Sequence, residues 1–237
     1  MLALVCPVYN EAENAGPLLE AIARDVTVPC ELTFVYDQDS DTTIPQIEAR
    51  RSGYPIPIRL VRNRYGGGVL NAIRTGIDEN LRADAIAVIM ADLSDRLTDL
   101  NIMYDLVRRE RYDVVCGSRY MRGGRQSGGP FVKRTLSRLA GLSLHVLTGI
   151  PTHDATNNFK MYSTAFLSRT TIESSAGFEV ALELTTKAYA AGYRIAEVPT
   201  IWTDRVAGSS RFNLGKWLPH YLRWYFYALR ARLFSRN

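Results

Sequence analysis

Three acidic clusters, each directly after an apolar run of strand-like composition, constrain the fold of this chain more than any other feature. The runs cover residues 2–7, 32–35 and 85–90, and the clusters that follow them cover residues 10–11, 37–41 and 92–95. Helix-like segments separate the runs, which is typical of parallel strands. Open sheets of this kind bind ligands at the carboxyl ends of their strands. The pattern therefore predicts a nucleotide site, in which the acids hold a ribose, a base edge or a cation that carries a diphosphate.

Composition and charge narrow the class of protein. A chain of 237 residues with 46% hydrophobic content suits one α/β domain with a smaller appended piece. The net charge is +5, and the basic excess is concentrated after residue 105. Such an excess suits anionic substrates or a membrane face. Because the basic residues do not form a continuous patch interleaved with stacking aromatics, we expect no nucleic-acid partner.

The cysteines and the first residues predict the compartment. Cys6, Cys30 and Cys116 are odd in number and far apart, which indicates reduced thiols rather than disulfides or a zinc site. The chain enters a strand at once, without a charged and apolar leader. No uncharged apolar run approaches the roughly 20 residues that span a bilayer. We therefore expect a cytoplasmic protein that does not cross a membrane by itself.

Periodicity predicts the remaining elements. Helices are predicted at residues 14–25, 43–52, 69–80, 97–109, 133–147 and 180–191, and strands at 58–61, 113–117, 159–162 and 194–198. The glycines at 66–68 precede a helix, where backbone N–H groups can meet phosphate, although such a triplet is also typical of a plain flexible turn. Residues 122–130 are rich in glycine and arginine and are predicted to be a loop that closes over bound donor.

The last segment, residues 216–234, is crowded with aromatic and basic side chains. This composition predicts a helix that lies on a membrane surface. A helix that packs on the domain or on a dimer partner is the alternative. We accordingly divide the chain into a catalytic domain, 1–212, and a C-terminal aromatic and basic amphipathic helix, 213–237.

The order of the motifs resembles that of the family 2 glycosyltransferases, and within them the polyprenol-phosphate sugar transferases of the dolichol-phosphate mannosyltransferase type. The matching segments are residues 6–14, 37–43, 91–94, 117–120, 154–159, 177–179, 195–199 and 204–211. The resemblance implies a GT-A type, Rossmann-like α/β fold whose mixed, mainly parallel sheet is flanked by helices. It also implies inverting transfer of a hexose from a nucleotide-diphosphate sugar, of the GDP-mannose or UDP-glucose type, to a polyprenyl or dolichyl phosphate at the cytoplasmic membrane face.

The resemblance further implies a donor site. Its nucleotide-binding residues are Pro7, Tyr9, Glu11, Asp37, Ala91 and Asp92. Asp37 accepts a hydrogen bond from the base in this scheme, and Asp92 with Ser94 holds Mg²⁺ or Mn²⁺ against the diphosphate.

The chemistry of a phosphate acceptor favours positively charged side chains over a general base. A lipid phosphate is already anionic at neutral pH, so it needs arginines that bind its oxygens. The residues implied for catalysis are Asp92, Arg119 and Arg205, and those for acceptor phosphate are Arg119, Arg134, Arg138 and Arg211. For Arg134 and Arg138, a solvated helix face is the alternative.

Two departures from the family pattern keep other functions open. Met90 stands where the metal motif has its first acid, and Tyr36 stands where the family often has Asp; one lost carboxylate weakens cation binding, although Ser94 and Asp95 offer oxygens. One alternative is transfer to a soluble or protein-borne sugar, for which Asp95, Asp154 or Glu179 would be the general base. Another is a non-catalytic nucleotide-binding relative. The partner at the membrane is either the lipid surface itself or a membrane protein.

Overall fold

A seven-stranded sheet forms the centre of the molecule. The computed structural model describes residues 1–204 and 214–234. The strands are β1 (Leu2–Val8), β2 (Cys30–Tyr36), β3 (Ile58–Arg62), β4 (Ala85–Val88), β5 (Val114–Ser118), β6 (Arg125–Ser127), β7 (Lys160–Ser163), β8 (Ile195–Pro199) and β9 (Ile201–Thr203). The helices are α1 (Ala12–Asp25), α2 (Thr43–Arg51), α3 (Val69–Glu79), α4 (Asp99–Arg108), α5 (Phe131–Thr148), α6 (Thr164–Leu167), α7 (Val180–Ala190) and α8 (Leu214–Phe234).

The strand order is β3-β2-β1-β4-β7-β5-β8. Neighbouring strands are parallel except at β7, which runs antiparallel to both β4 and β5. The mixed, mainly parallel sheet confirms the predicted fold class. The carboxyl ends of β2, β1 and β4 therefore lie side by side at one edge of the sheet.

Two apolar cores cover the two faces of this sheet. One packs α1, α2 and α4 against one face, and the other packs α3, α5, α6, α7 and α8 against the opposite face. Because both faces are covered, residues 2–6 of β1 are all fully buried, which explains why this strand reads as a continuous apolar run rather than an alternating one.

Helix α3 approaches the sheet closely at Gly76. A Cβ atom added to Gly76 would lie 2.2 Å from Cγ1 of Val5. Only glycine fits there, so α3 packs closely against β1. This close packing fixes where the first turn of α3 meets the strand ends.

The predicted loop at 122–130 is partly wrong, because it contains β6. This strand pairs in parallel with β9, and the amide of Arg125 donates to the carbonyl of Thr200 (2.9 Å). The amide of Asp204 donates a hydrogen bond to the carbonyl of Ser127 (3.0 Å). The carboxylate of Asp204 accepts one from the amide of Gly129 (3.0 Å). A three-residue strand rich in polar residues gives no periodic signal. Helix α6, with four residues, is also too short to be predicted from periodicity.

Helix α8 packs on the domain. Trp224 (2% exposed) and Ala228 (0%) belong to the second core, and the hydroxyl of Tyr225 donates to Oγ of Ser143 on α5 (2.9 Å). Across residues 1–204 and 214–234, no helix combines the length and the apolar character needed to cross a membrane. The division of the chain at residue 212 stays a prediction.

Candidate active site

Glu11, Asp37 and Asp92 follow the adjacent strands β1, β2 and β4, so the fold brings the three predicted acids to one edge of the sheet. The pKa of Cys6, which lies in β1, also reflects the presence of two of these acids. Burial raises the pKa of the Cys6 thiol, and the charges of Asp92 and Glu11 raise it further. Both carboxylates therefore lie near the end of β1.

The loop after β1 is joined to the loop after β2 through Asp41. Its buried Oδ1 accepts hydrogen bonds from the amides of Asn10 (3.0 Å) and Thr43 (2.8 Å). The amide of Glu11 in turn donates to Oγ1 of Thr43 (2.9 Å). Asn10 has a φ of 56°, a left-handed conformation that asparagine tolerates. These bonds fix the backbone beside Tyr9, whose side chain is exposed.

Asp37 holds the glycine turn that precedes α3. Its Oδ2 accepts a hydrogen bond from the amide of Gly68 (2.8 Å), and its Oδ1 accepts one from Nδ2 of Asn63 (2.9 Å). The turn is thus attached to the second acidic cluster. The amide of Gly68, which could have met phosphate, already has a carboxylate partner.

The third cluster forms a tight turn after β4. Oδ1 of Asp92 accepts bonds from the amide (3.2 Å) and the hydroxyl (2.7 Å) of Ser94. Between them Leu93 has a φ of 57°. A left-handed conformation costs a residue with a side chain about 1–2 kcal/mol, and strain of this kind is concentrated at functional sites. Sequence patterns alone did not reveal it.

Residues 92–95 offer oxygen ligands that suit a hard cation. Oδ1 of Asp95 is buried and has no hydrogen-bond partner among the described residues. Burial, and then the charge of Asp92, raise the pKa of Asp95 to about 7, as expected where a buried carboxyl lies near a second carboxylate. Asp92, Ser94 and Asp95 therefore fit a divalent cation, although residues 1–204 and 214–234 contain no metal-binding group of three or more His, Cys, Asp or Glu. Met90 packs against the second core.

Arg119, at the end of β5, forms a buried ion pair with Asp154. Oδ2 of Asp154 accepts bonds from the backbone amide (3.1 Å) and Nε (2.7 Å) of Arg119, and Oδ1 accepts one from Nη2 (2.9 Å). The side chains are 11% and 0% exposed. Burial alone would lower the pKa of Arg119, but the charge and hydrogen bonds of Asp154 raise it above its ordinary value. Both charges also act on Asp95, so the pair lies near the third acidic cluster.

Helix α5 contacts this pair directly. Oγ of Ser137 accepts hydrogen bonds from Nη2 of Arg119 (3.1 Å) and from the hydroxyl of Tyr120 (3.0 Å). Burial raises the pKa of Tyr120, and the charges of Arg119 and Arg138 lower it in part, so Arg138 lies close to this group. Arg134, about one turn earlier on α5, lies over the ring of Phe131 at 5.7 Å.

Helices α5 and α8 together present a large exposed apolar face, which we call the apolar surface. It consists of Val132, Leu136, Leu139 and Val146 of α5 with Leu218, Leu222, Phe226 and Leu233 of α8, all between 39% and 78% exposed. On each helix these residues recur at spacings that place them on one side. An exposed apolar patch of this kind marks an interaction surface.

Of the four remaining predicted residues, the structure places two near the carboxyl ends of β1 and β4. Pro7 lies in β1, and the buried Ala91 precedes Asp92 directly. Arg205 and Arg211 lie outside the described residues. Two residues that sequence patterns did not single out also reach the site, Lys160 and Tyr221. Burial raises the pKa of Tyr221, and the charges of Glu179 and Arg119 act on its hydroxyl, so α8 extends to the surroundings of Arg119.

Comparisons with known proteins bear on this arrangement. A family model described as "Glycosyl transferase family 2" matches residues 3–170. Polyprenol monophosphomannose synthase of Mycolicibacterium smegmatis is 26% identical over 89% of this chain and 80% of its own length. Undecaprenyl-phosphate mannosyltransferase of Micrococcus luteus is also 26% identical, over 97% of both chains.

Among solved structures, one similar chain is glucosyl-3-phosphoglycerate synthase from Mycobacterium tuberculosis, in complex with Mn²⁺, uridine diphosphate and glucosyl-3-phosphoglycerate. The TM-score is 0.68 with 18% identity, over 100% of this chain and 79% of that one. At this identity the likeness establishes the fold alone.

Proposed function

Because the chain belongs to glycosyl transferase family 2, we propose that this glycosyltransferase moves a hexose from a nucleoside diphosphate sugar to a polyprenyl phosphate. The names of two relatives that align over most of the chain, a polyprenol monophosphomannose synthase and an undecaprenyl-phosphate mannosyltransferase, support this acceptor class. The observation that carries the proposal is the contact of Arg119 with α5, the helix that also bears half of the apolar surface. The proposed phosphate-binding arginine is therefore in contact with the helix that carries part of the proposed lipid-binding face.

The donor occupies the edge formed by β2, β1 and β4. Pro7, Tyr9 and Glu11 line the base and ribose, and Asp37 accepts a hydrogen bond from the base. Asp37 is already held by Asn63 and Gly68, so its carboxylate is oriented before the nucleotide arrives. Such orientation lowers the entropic cost of binding.

Asp92 and Ser94, with Asp95 beside them, are the residues that would hold Mg²⁺ or Mn²⁺. When bound, such a cation offsets negative charge on the departing diphosphate. The left-handed Leu93 turns the chain sharply between Asp92 and Ser94. Their oxygens consequently lie together, within hydrogen-bond distance of each other.

In the reaction, an oxygen of the lipid phosphate forms a bond to the anomeric carbon of the sugar. The bond from that carbon to the diphosphate breaks, and the nucleoside diphosphate leaves with the electron pair. No proton is removed from the acceptor, so the chain needs no general base. Arg119 binds the phosphate while Asp154 fixes the guanidinium through its two carboxylate oxygens. Arg134 and Arg138 supply further positive charge, and Arg205 and Arg211 complete the proposed set.

The alternative acceptor, a soluble or protein-borne sugar, needs a free carboxylate base. Two of its three candidates are already engaged and fully buried. Asp154 is paired with Arg119, and Glu179 accepts bonds from the amides of Ala176 (2.8 Å) and Gly177 (2.7 Å). The third candidate, Asp95, lies beside the proposed cation, so the positions of all three favour the anionic acceptor.

We propose that the apolar surface binds a membrane, which would make the enzyme a peripheral membrane protein. Arg230 lies four residues after Phe226 and three before Leu233, so it borders the apolar side of α8. Basic residues next to an apolar face bind anionic headgroups while the apolar face enters the interface. Binding here gives the site direct access to a phosphate whose lipid tail stays in the bilayer.

The test is a transfer assay with purified protein, undecaprenyl phosphate in anionic vesicles, and labelled GDP-mannose or UDP-glucose with Mn²⁺. We expect label in the lipid fraction from the wild type and none from Asp92→Ala. Transfer to a soluble sugar with none to lipid would decide for the alternative acceptor. Absence of transfer, together with no thermal shift by any nucleotide, would indicate a non-catalytic relative.

A further inference from the structure

Lys160 is a fully buried lysine in the middle of the central sheet. It begins β7 and lies opposite Val88 of β4 and Cys116 of β5, with 0% exposure. Burial lowers its pKa, although the charges of Cys116 and Asp154 act to raise it. Burying an ammonium group costs several kcal/mol unless it is well hydrogen-bonded. A lysine at this position therefore needs a structural or functional reason.

The ammonium group is hydrogen-bonded by backbone rather than by a carboxylate. Nζ of Lys160 donates to the carbonyls of Asp154 (3.4 Å), Ala155 (3.2 Å) and Asn157. These three bonds use all the donors that a lysine has. Lys160 thus holds the loop of residues 154–157 from beneath, in the way that a bound cation would.

This loop determines where Arg119 points. It carries the Asp154 carboxylate, which accepts three hydrogen bonds from Arg119. Its other side chains join the same surroundings: Nδ2 of Asn157 donates to the carbonyl of Gly117 (2.9 Å), and the hydroxyl of Thr156 lies 2.8 Å from Oγ of Ser137. A shift of the loop would consequently move the guanidinium.

We propose that Lys160 is a positioning residue, which holds the 154–157 loop and through Asp154 aims Arg119 at the acceptor phosphate. The kinetic part of this inference rests on the proposed function, in which Arg119 binds that phosphate. A purely space-filling role has a different consequence. If Lys160 only filled space, methionine, which has a similar volume, would replace it at little cost and would leave the site unchanged.

The first test does not depend on transfer activity. Amide hydrogen exchange is compared among the wild type, Lys160→Met and a control, Met161→Ala. Met161 is the next residue of the strand, is fully buried and faces the other core, and its truncation lowers stability by about 2–5 kcal/mol.

For Lys160→Met we expect exchange to accelerate at least about tenfold at Arg119 and in residues 154–158, with little change in β1 and β2. The control should accelerate exchange throughout the sheet. An exchange pattern for Lys160→Met that matches the control, or that matches the wild type, would overturn the proposal.

The second test separates positioning from folding. Lys160→Met should lower kcat/KM for undecaprenyl phosphate about 10- to 100-fold, because small displacements of a catalytic group have effects of this size, while donor Kd stays within about twofold. Lys160→Arg, which keeps the charge and donors, should recover most of the loss.

Combining Lys160→Met with Asp154→Asn should cost less than the two losses multiplied, because both act through one arginine. Fully multiplied losses, or a weakened donor Kd, would refute the inference. A wild type without transfer to polyprenyl phosphate would instead refute the proposed function, and the exchange experiment would still decide the role of Lys160.

Discussion

Asp154→Asn tests the Arg119 pair by removing one charge with almost no change in shape. The carboxylate is fully buried and accepts three hydrogen bonds from Arg119. Asparagine keeps one acceptor oxygen, but its NH₂ group then faces the guanidinium donors. The substitution therefore leaves a buried positive charge without its counter-charge.

The size of the effect follows from burial. Removing one member of a buried ion pair costs about 3–5 kcal/mol, because the other charge is left uncompensated. Arg119 retains one hydrogen bond to the amide oxygen and is 11% exposed, so we expect the lower end, about 3 kcal/mol. For a chain of this length that loss lowers Tm by about 6–12 °C.

The measurement is urea unfolding followed by circular dichroism, alongside Asp105→Asn as the matched control. Asp105 forms an ion pair with Arg109 on the surface of α4, where the two side chains are 51% and 78% exposed, and such pairs contribute about 0–1 kcal/mol. Equal losses of unfolding free energy in the two variants would refute the reasoning. Donor Kd should stay unchanged in both, since neither residue belongs to the proposed nucleotide-binding or cation-binding set.

Three further predictions concern other parts of the molecule. Gly76→Ala should lower the free energy of unfolding by about 1–3 kcal/mol in urea, whereas Gly16→Ala, whose added methyl meets only the end of a flexible side chain, should change it by less than about 1 kcal/mol. Met90→Asp should lower the Mn²⁺ concentration needed for a nucleotide-induced thermal shift about tenfold; an unchanged requirement would contradict a cation at this turn. Val146→Glu, at 78% exposure on the apolar surface, should reduce co-sedimentation with anionic vesicles, while Ile102→Glu, at 58% exposure on α4, should not; equal binding by both variants would contradict the membrane face.

The sequence was sufficient to predict the sheet and the meeting of three acidic residues at one edge of it. Glu11, Asp37 and Asp92 each follow an apolar run within a few residues, and strands of a parallel sheet bring such ends together. The mainly parallel sheet could therefore be predicted from local patterns, and the structure confirms it. The roles of these residues stay predictions.

The contacts that surround Arg119 could not be predicted in the same way. Arg119 and Asp154 are 35 residues apart, and their contact depends on the non-local pairing of β5 with β7. Lys160 occupies a short, mixed segment in which a single lysine is equally typical of an exposed position. The pairing of β6 with β9 joins two three-residue strands, which are too short for a periodic signal.

The reversed direction of β7 has a consequence for engineering. In a strand that opposes its neighbours, the segment before the strand lies where the segments after the other strands lie. The turn after β7 and α6 is therefore at the far edge of the sheet, where the hydroxyl of Thr164 donates to the carbonyl of Ala83 (2.8 Å). Ser168 and Arg169 are exposed there. A fluorescent reporter or an affinity peptide inserted between them would be held away from the acidic residues at the carboxyl ends of β1, β2 and β4.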